Sequence, residues 1–383
     1  MKKKGRSSKR NQNMKIEPFV MERFQSLWEN VVDYNLSESG VHPLKLEDLI
    51  KESEITDLLK IPIGYNQTNG TEELRAKIAQ LYPGAAIENV LVTTGSAEAN
   101  FLATWFLMEP GDNLALMLPN YMQIWGLGNA FSARVKPFHL IPEQGKWQID
   151  WDELETTVTS GTKLIAICNP NNPTGAQLNQ EEVQRICSIA RNAEAWILSD
   201  EVYRGAERVG ELTPTFWGQY DKVIVTCGLS KAYGLPGLRI GWAIAPPDLI
   251  ENLWSYHDYT TICPNPISDY LARIALGYPL RENILERTRT IVKTNFKILN
   301  DWVKKYEDIV ECIAPVAGAI AMVKYNLAIK SIDLVTQLRK EKSVLIVPGE
   351  HFFMENYLRI GFGCQPGDLQ IALDRLSELI SEL

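Results

Sequence analysis

Four short segments carry residue types suited to holding and working on a charged small molecule. NPNNPTG at 169–175 follows the apolar run KLIAIC. Its two prolines and glycine fix a sharp turn, and three Asn side chains offer hydrogen bonds there. SDEVYR at 199–204 ends another apolar run, AWILSD, and puts the Asp200 carboxylate at its close. GLSKAYGLPGLRIGW at 228–242 sets Lys231 after a β-branched run and ahead of Gly234, Gly237, Arg239 and Gly241. Glycines in such a stretch let backbone come close to a ligand. TTGSAEA at 93–99 reads as a strand–turn–helix junction, and the free N–H groups opening such a helix make an anion site.

Taken singly, each segment has an ordinary explanation. The first can be a structural turn, the second a helix N-cap Asp followed by a first-turn Glu201, the third a solvated lysine and the fourth plain helix packing. TTGSAEA contains neither G-x-G-x-x-G nor G-x-x-x-x-G-K-[ST], which counts against a dinucleotide or a nucleoside triphosphate.

The elements that must position these residues are legible as alternating patterns. Strands are expected at 89–95, 114–118, 163–169, 195–201, 222–228 and 239–245, with helices at 97–108 and 179–193 between some of them. Continuous apolar strands alternating with helices indicate a parallel sheet covered on both faces. Ligands of such sheets bind where loops leave the carboxyl ends of the strands. After Pro266 the texture changes. A charged helix over about 281–307 leads into IAPVAGAIAMVKY, with Gly318 at a close approach, then a helix near 331–341, the strands VLIVPG and YLRIG, and a terminal helix from 366. The organisation expected is a basic leader at 1–15, an N-terminal segment at 16–60 joining the small domain, a large domain at 61–265 and a small C-terminal domain at 266–383.

Composition bounds the class. The 383 residues are 45% hydrophobic and 22% charged, an ordinary globular balance, and no apolar run approaches the ~20 residues of a membrane-spanning helix. Net charge is −8, yet the first fifteen residues hold seven Lys or Arg and no acid. The rest of the chain is therefore strongly acidic, which argues against a nucleic-acid-binding body. The leader lacks an apolar stretch behind its charges, so it reads as a disordered extension and not a secretory signal. Six scattered cysteines without metal-type spacing and only four histidines argue against a zinc cluster and fit a reducing cytoplasm.

In order and spacing, the four segments, with the late LRIG around Arg359, resemble fold type I pyridoxal 5′-phosphate enzymes of the class I/II aminotransferase superfamily over roughly residues 30–380. The resemblance implies an α/β fold: a large domain with a mostly parallel seven-stranded sheet flanked by helices, and a smaller α+β domain. It implies that Lys231 carries the cofactor as an internal aldimine and then moves the substrate proton, while Asp200 pairs with the pyridine nitrogen and keeps the ring an electron sink. Asn172 and Tyr203 would bond the ring's phenolic oxygen, and Tyr121 would stack on the ring. Gly95, Ser96, Ala97, Ser230 and Arg239 would hold the phosphate. Tyr65 would reach the phosphate of a partner subunit, which makes the enzyme a homodimer with shared sites. Arg359 would clamp the substrate α-carboxylate, with Asn172 and Gly40 beside it. No metal is implied.

Two departures stand out. Gly228 occupies the place where many relatives carry a phosphate-binding Ser, and NLSESGVHP (35–43) replaces the usual small-residue loop over the substrate. The stretch SYHDYTTICPNP (255–266) lacks the arginine of dicarboxylate-specific members, so the amino donor is expected to be neutral, aromatic or basic, with His257 and Asp258 as candidate contacts to a polar or cationic side chain. The acceptor is expected to be a 2-oxo acid. SESGVHP also resembles capreomycidine synthases, which implies the alternative of β-elimination and ring closure on a hydroxylated amino acid. A non-catalytic sensor built on this fold ranks last, because Lys231, Asp200 and Arg359 are all present and the leader has no room for a helix-turn-helix.

Overall fold

A computed structural model of the chain describes residues 15–383; the leader at 1–15 thus lies, Lys15 excepted, outside the described residues. The large sheet is built from β1 (Val90–Thr93), β2 (Asn113–Leu118), β3 (Arg134–Glu143), β4 (Lys146–Ile149), β5 (Thr162–Cys168), β6 (Trp196–Asp200), β7 (Val223–Gly228) and β8 (Gly241–Ile244). Its strand order is β1-β8-β7-β6-β5-β2-β3-β4. The run from β7 through β3 is parallel, β8 is antiparallel to both its neighbours, and β4 folds back antiparallel on the end of β3.

All six strands read from the sequence are present; β3 and β4 are additions. Pro137 and Pro142 interrupt β3 and hide it from a propensity reading. The hairpin to β4 turns on Gln144 and Gly145, both with positive φ, in the manner of a two-residue primed turn. That hairpin gives the sheet an eighth strand beyond the seven expected. Every residue of β1, β7 and β8 is buried, as both-face coverage requires.

The helices that matter for the site are α1 (Val20–Trp28), α2 (Ser96–Leu107), α3 (Gln180–Ala193), α4 (Pro247–His257), α5 (Pro266–Ala275) and α6 (Leu280–Lys305). A capping box opens α3: Asn179 Oδ1 accepts from Glu182 N at 3.0 Å, and Asn179 N donates to the Glu182 carboxylate at 2.7 Å.

A second sheet holds Val310–Cys312, Ile320–Tyr325, Tyr357–Gly361 and Val347–Pro348, all antiparallel. Two cores result. Leu271, Ala272 and Ala275 of α5 and Leu285 of α6 pack with the large sheet. Val292, Phe296, Leu299 and Trp302, further along α6, pack with the small one. The N-terminal segment also serves both, with Met21 and Leu49 in the first core and Leu36 and Val41 in the second.

Candidate active site

Three neighbouring strands end together. Cys168, Asp200 and Thr226 are register partners at the carboxyl ends of β5, β6 and β7. The loops leaving these ends carry Asn172, Tyr203, Ser230 and Lys231 into one cleft of about 300 Å³. The same cleft receives Ser96 and Ala97 from the start of α2, Tyr121 from the loop after β2, and Arg239 and Arg359. Ten of the expected site residues thus converge.

Asp200 is held at the cleft floor by Asn100 Nδ2 at 3.0 Å and by Val202 N at 3.2 Å. Asn100 is itself fixed, accepting from Thr226 Oγ1 at 2.6 Å. Burial pushes the Asp200 carboxyl above its usual range, and the Asn100 bond opposes that rise. No cationic side chain among the described residues makes an ion pair with it. No helix follows, so the N-cap reading fails. Glu201 turns the other way and is buried, accepting from Thr215 Oγ1 and Phe216 N at 3.0 Å, with its carboxyl pushed up to about 7 by burial.

Of the three Asn side chains in the 169–175 turn, two are structural. Asn169 Oδ1 accepts from Leu178 N, and Asn171 Oδ1 accepts from Thr174 N and Oγ1. Only Asn172 lines the cleft, and its Oδ1 accepts from Arg359 Nη1 at 3.1 Å. The Tyr203 hydroxyl donates to Ser39 Oγ at 2.8 Å. Gly318, at φ +78°, is the close approach: a Cβ there would lie 3.3 Å from the Tyr203 ring.

Three glycines bring backbones together beneath the start of α2. A Cβ on Gly95 would lie 2.4 Å from Arg239 Nη2, and one on Gly241 would lie 2.3 Å from Gly95 C and Ser96 N. A Cβ on Gly228 would meet Ile240 O at 2.9 Å. A side chain at 228 would therefore require the neighbouring backbone to shift. Arg239, with φ +49°, donates to Pro236 O at 2.9 Å and Ser230 Oγ at 3.3 Å, which aims its guanidinium across the helix N-terminus.

Arg359 sits mid-strand, paired with Met322 on one side and Val347 on the other. Its side chain is 1% exposed, donates to Ser37 O at 2.5 Å, and leaves Nε without a partner. Among the described residues no carboxylate lies within ion-pair distance of it, so the buried guanidinium keeps one unsatisfied N–H that an anion could take.

Several lining residues escaped the sequence reading. Glu38 Oε1 lies 2.5 Å from Lys231 Nζ and also accepts from Ser39 N and Gly40 N. Its carboxyl is held down at about 2, chiefly by the lysine ammonium. Met21, Glu22 and Gln25 enter from α1 and Glu29 from the residue just past its end, and Glu22 accepts from the Tyr121 hydroxyl at 2.8 Å. The 22–25–29 spacing places them on one helical face, a signal available in the sequence.

Two expectations land elsewhere, and Tyr65, expected in a partner's site, lies outside this chain's own cleft. Gly40 lines a neighbouring cavity with Glu38, His42 and Ser230 and presses on the Lys231 stem, outside the cleft itself. Tyr65 is 86% exposed and lines a separate hollow with Thr94, Arg239 and Cys263. His257 does not face the cleft: it is buried, with Nδ1 3.2 Å from Glu98, whose carboxylate also takes Thr261 Oγ1 and Thr94 N.

The residues present fit pyridoxal phosphate: an unpaired buried carboxylate suits a protonated ring nitrogen, and a helix start with Arg239 and Ser230 suits a phosphate. A family model, aminotransferase class I and II, matches residues 57–376. The chain belongs to the class I and II aminotransferase family. As a member of that family, it is a pyridoxal 5′-phosphate-dependent enzyme. It is 31% identical over 310 residues to capreomycidine synthase of Streptomyces vinaceus, covering 81% of this chain and 79% of that one. The solved structure of a PLP-dependent aminotransferase from Streptococcus suis 89-1591 superposes with a TM-score of 0.90 at 34% identity, over 96% of this chain and 99% of that one. The PLP-dependent cyclase OrfR superposes at 0.87 with 26% identity, over 98% and 100%. Among the described residues of this aminotransferase-family chain, no helix is long and apolar enough to cross a membrane.

Proposed function

We propose that the enzyme moves the amino group of an L-amino acid with a cationic side chain to a 2-oxo acid. The observation that carries this reading is the placement of the buried Arg359 guanidinium, its Nε without a partner, in the same cleft as Lys231 and Asp200. In this reading Arg359 takes the substrate α-carboxylate, joined by Asn172, and so fixes Cα over the site. Lys231 Nζ takes and returns the proton at Cα. The cofactor supplies the sink for the electron pair released there, and Asp200 keeps its ring nitrogen protonated. Tyr203 and Asn172 orient its phenolic oxygen, Tyr121 packs against its ring, and Gly95, Ser96, Ala97, Ser230 and Arg239 hold its phosphate.

Among neutral, aromatic and basic donors, the lining favours the basic. Glu22 of α1 and Glu29 just past its end face the cleft, and neither has a cationic partner of its own among the described residues. A guanidinium or ammonium is the side chain that such a wall accepts. We place Tyr65 in a second copy's site. It stands exposed beside a hollow of about 700 Å³ that reaches Arg239, which supports a homodimer as the functional unit.

A second reading is elimination with ring closure on a hydroxylated amino acid. It is favoured by the likeness to capreomycidine synthase and to the cyclase OrfR. One assay separates the two. The yellow holoenzyme is mixed with single amino acids and its visible band is followed. Bleaching that a 2-oxo acid reverses supports amino transfer, whereas ammonia release without bleaching supports elimination. A protein that never takes up pyridoxal phosphate would overturn both.

A further inference from the structure

Glu38 has no counterpart in the roles assigned so far, yet it is the only acidic side chain among the described residues in ion-pair contact with Lys231. We infer that Glu38 is a positioning residue that steadies Lys231 in its protonated form, so that the lysine can take the proton from substrate Cα. This rests on the proposed role of Lys231 as the base.

The geometry is built, not incidental. One oxygen, Oε1, receives Ser39 N at 2.8 Å, Gly40 N at 3.0 Å and Lys231 Nζ at 2.5 Å. Two backbone donors therefore hold the carboxylate independently of the lysine. The loop carrying it is clamped on both sides. Gly361 N donates to Leu36 O at 2.7 Å, and His42 N donates to Gly363 O at 2.7 Å. Gly361 and Gly363 allow that approach, since a Cβ on either would fall 2.0 Å from the carbonyl oxygens of Glu38 and Gly40. On the other side, Gly40 lies against Ser230 O and Lys231 Cδ, where a Cβ would sit at 3.3 and 3.4 Å. Ser37, next to Glu38, gives its carbonyl to Arg359. One short loop thus ties the proposed carboxylate clamp to the proposed base.

In the step itself, the Nζ lone pair forms a new N–H bond as the Cα–H bond breaks, and the C–H electron pair stays with the substrate. The neutral amine becomes an ammonium, and Glu38, ionised throughout, accepts a charge-assisted hydrogen bond from it. Nothing else changes oxidation or protonation state. The carboxylate charge is constant, but the ammonium it pairs with forms only as the proton moves, so the pairing lowers the barrier to moving it.

The test uses the holoenzyme in deuterium oxide with each of the twenty amino acids, reading Cα–H exchange by proton NMR. The amino acid that exchanges fastest with the wild-type enzyme is carried forward. Glu38→Gln keeps the shape and removes the charge, and its exchange rate and kcat are expected to fall about ten- to a hundredfold with KM within threefold. Glu38→Asp, one methylene short, is expected to fall between the two and guards against a folding artefact in Glu38→Gln. Pyridoxal phosphate affinity, measured on the apoprotein by fluorescence, is expected to stay within threefold in both. Exchange retained within threefold in both variants overturns the inference alone, as does a raised KM with kcat held, which would make Glu38 a substrate contact. Absence of exchange with every amino acid in the wild-type enzyme defeats the proposed function and this inference together.

Discussion

Asp200 shows what a single residue's surroundings decide. Its burial raises the carboxyl's pKa, and the Asn100 amide is the largest influence holding it down. Asn100→Ala removes that restraint, so the pH at which Asp200 ionises rises. The acid limb of kcat/KM is expected to move to higher pH, with activity best preserved on the alkaline side, as a pH–rate profile will show. Asp200→Asn removes the charge at every pH, and kcat is expected to drop about a hundredfold or more, with the cofactor still bound by its phosphate. Arg359→Lys tests the fork geometry. An ammonium cannot reach Asn172, Ser37 O and a carboxylate together, and kcat/KM for the amino acid is expected to fall by about thirtyfold or more in steady-state assays. At this scale the sequence was most informative where chemistry clusters locally: Lys231 with Arg239, and Asp200 with Tyr203, share short motifs. Glu38 was silent, because its partner is 193 positions away in the chain and nothing in SESGVHP announces it.

At the scale of elements, α1 forms the acidic wall of the cleft. Phe19, just ahead of it, packs edge-on against Tyr121 at 5.0 Å, and Phe24 packs on His351 at 5.3 Å. The charges on the inner face can therefore be changed without removing the contacts that seat the helix. The double change Glu22→Gln with Glu29→Gln is expected to raise KM about tenfold or more for arginine or lysine, and to leave a neutral amino acid within twofold. Six strands of the large sheet were legible because they are short, apolar and flanked by turn formers. β3 was not, since its prolines read as breaks, and β4 was not, since its turn is Gln-Gly and carries no Asn or Asp signal. His257 was misread for a similar reason: helical periodicity could not say which face of α4 meets α2, and the histidine went to Glu98.

For the whole molecule, the proposed dimer makes the clearest prediction. Sedimentation velocity is expected to show a species of twice the 43.3 kDa chain mass, and Tyr65→Phe to weaken pyridoxal phosphate binding severalfold. A monomer with full affinity would refute it. The two-sheet plan was visible in the sequence as a change of texture after Pro266, but the sharing of helices between the cores was not, because pattern shows which face of a helix is apolar and not what covers it. That sharing has a mechanical corollary. The 26 residues of α6 form a rod of about 39 Å whose near end is rooted under one sheet and whose far end is rooted under the other. A gene cut after residue 265 would strip Leu271, Ala272 and Ala275 from their burial place, so neither fragment should fold by itself.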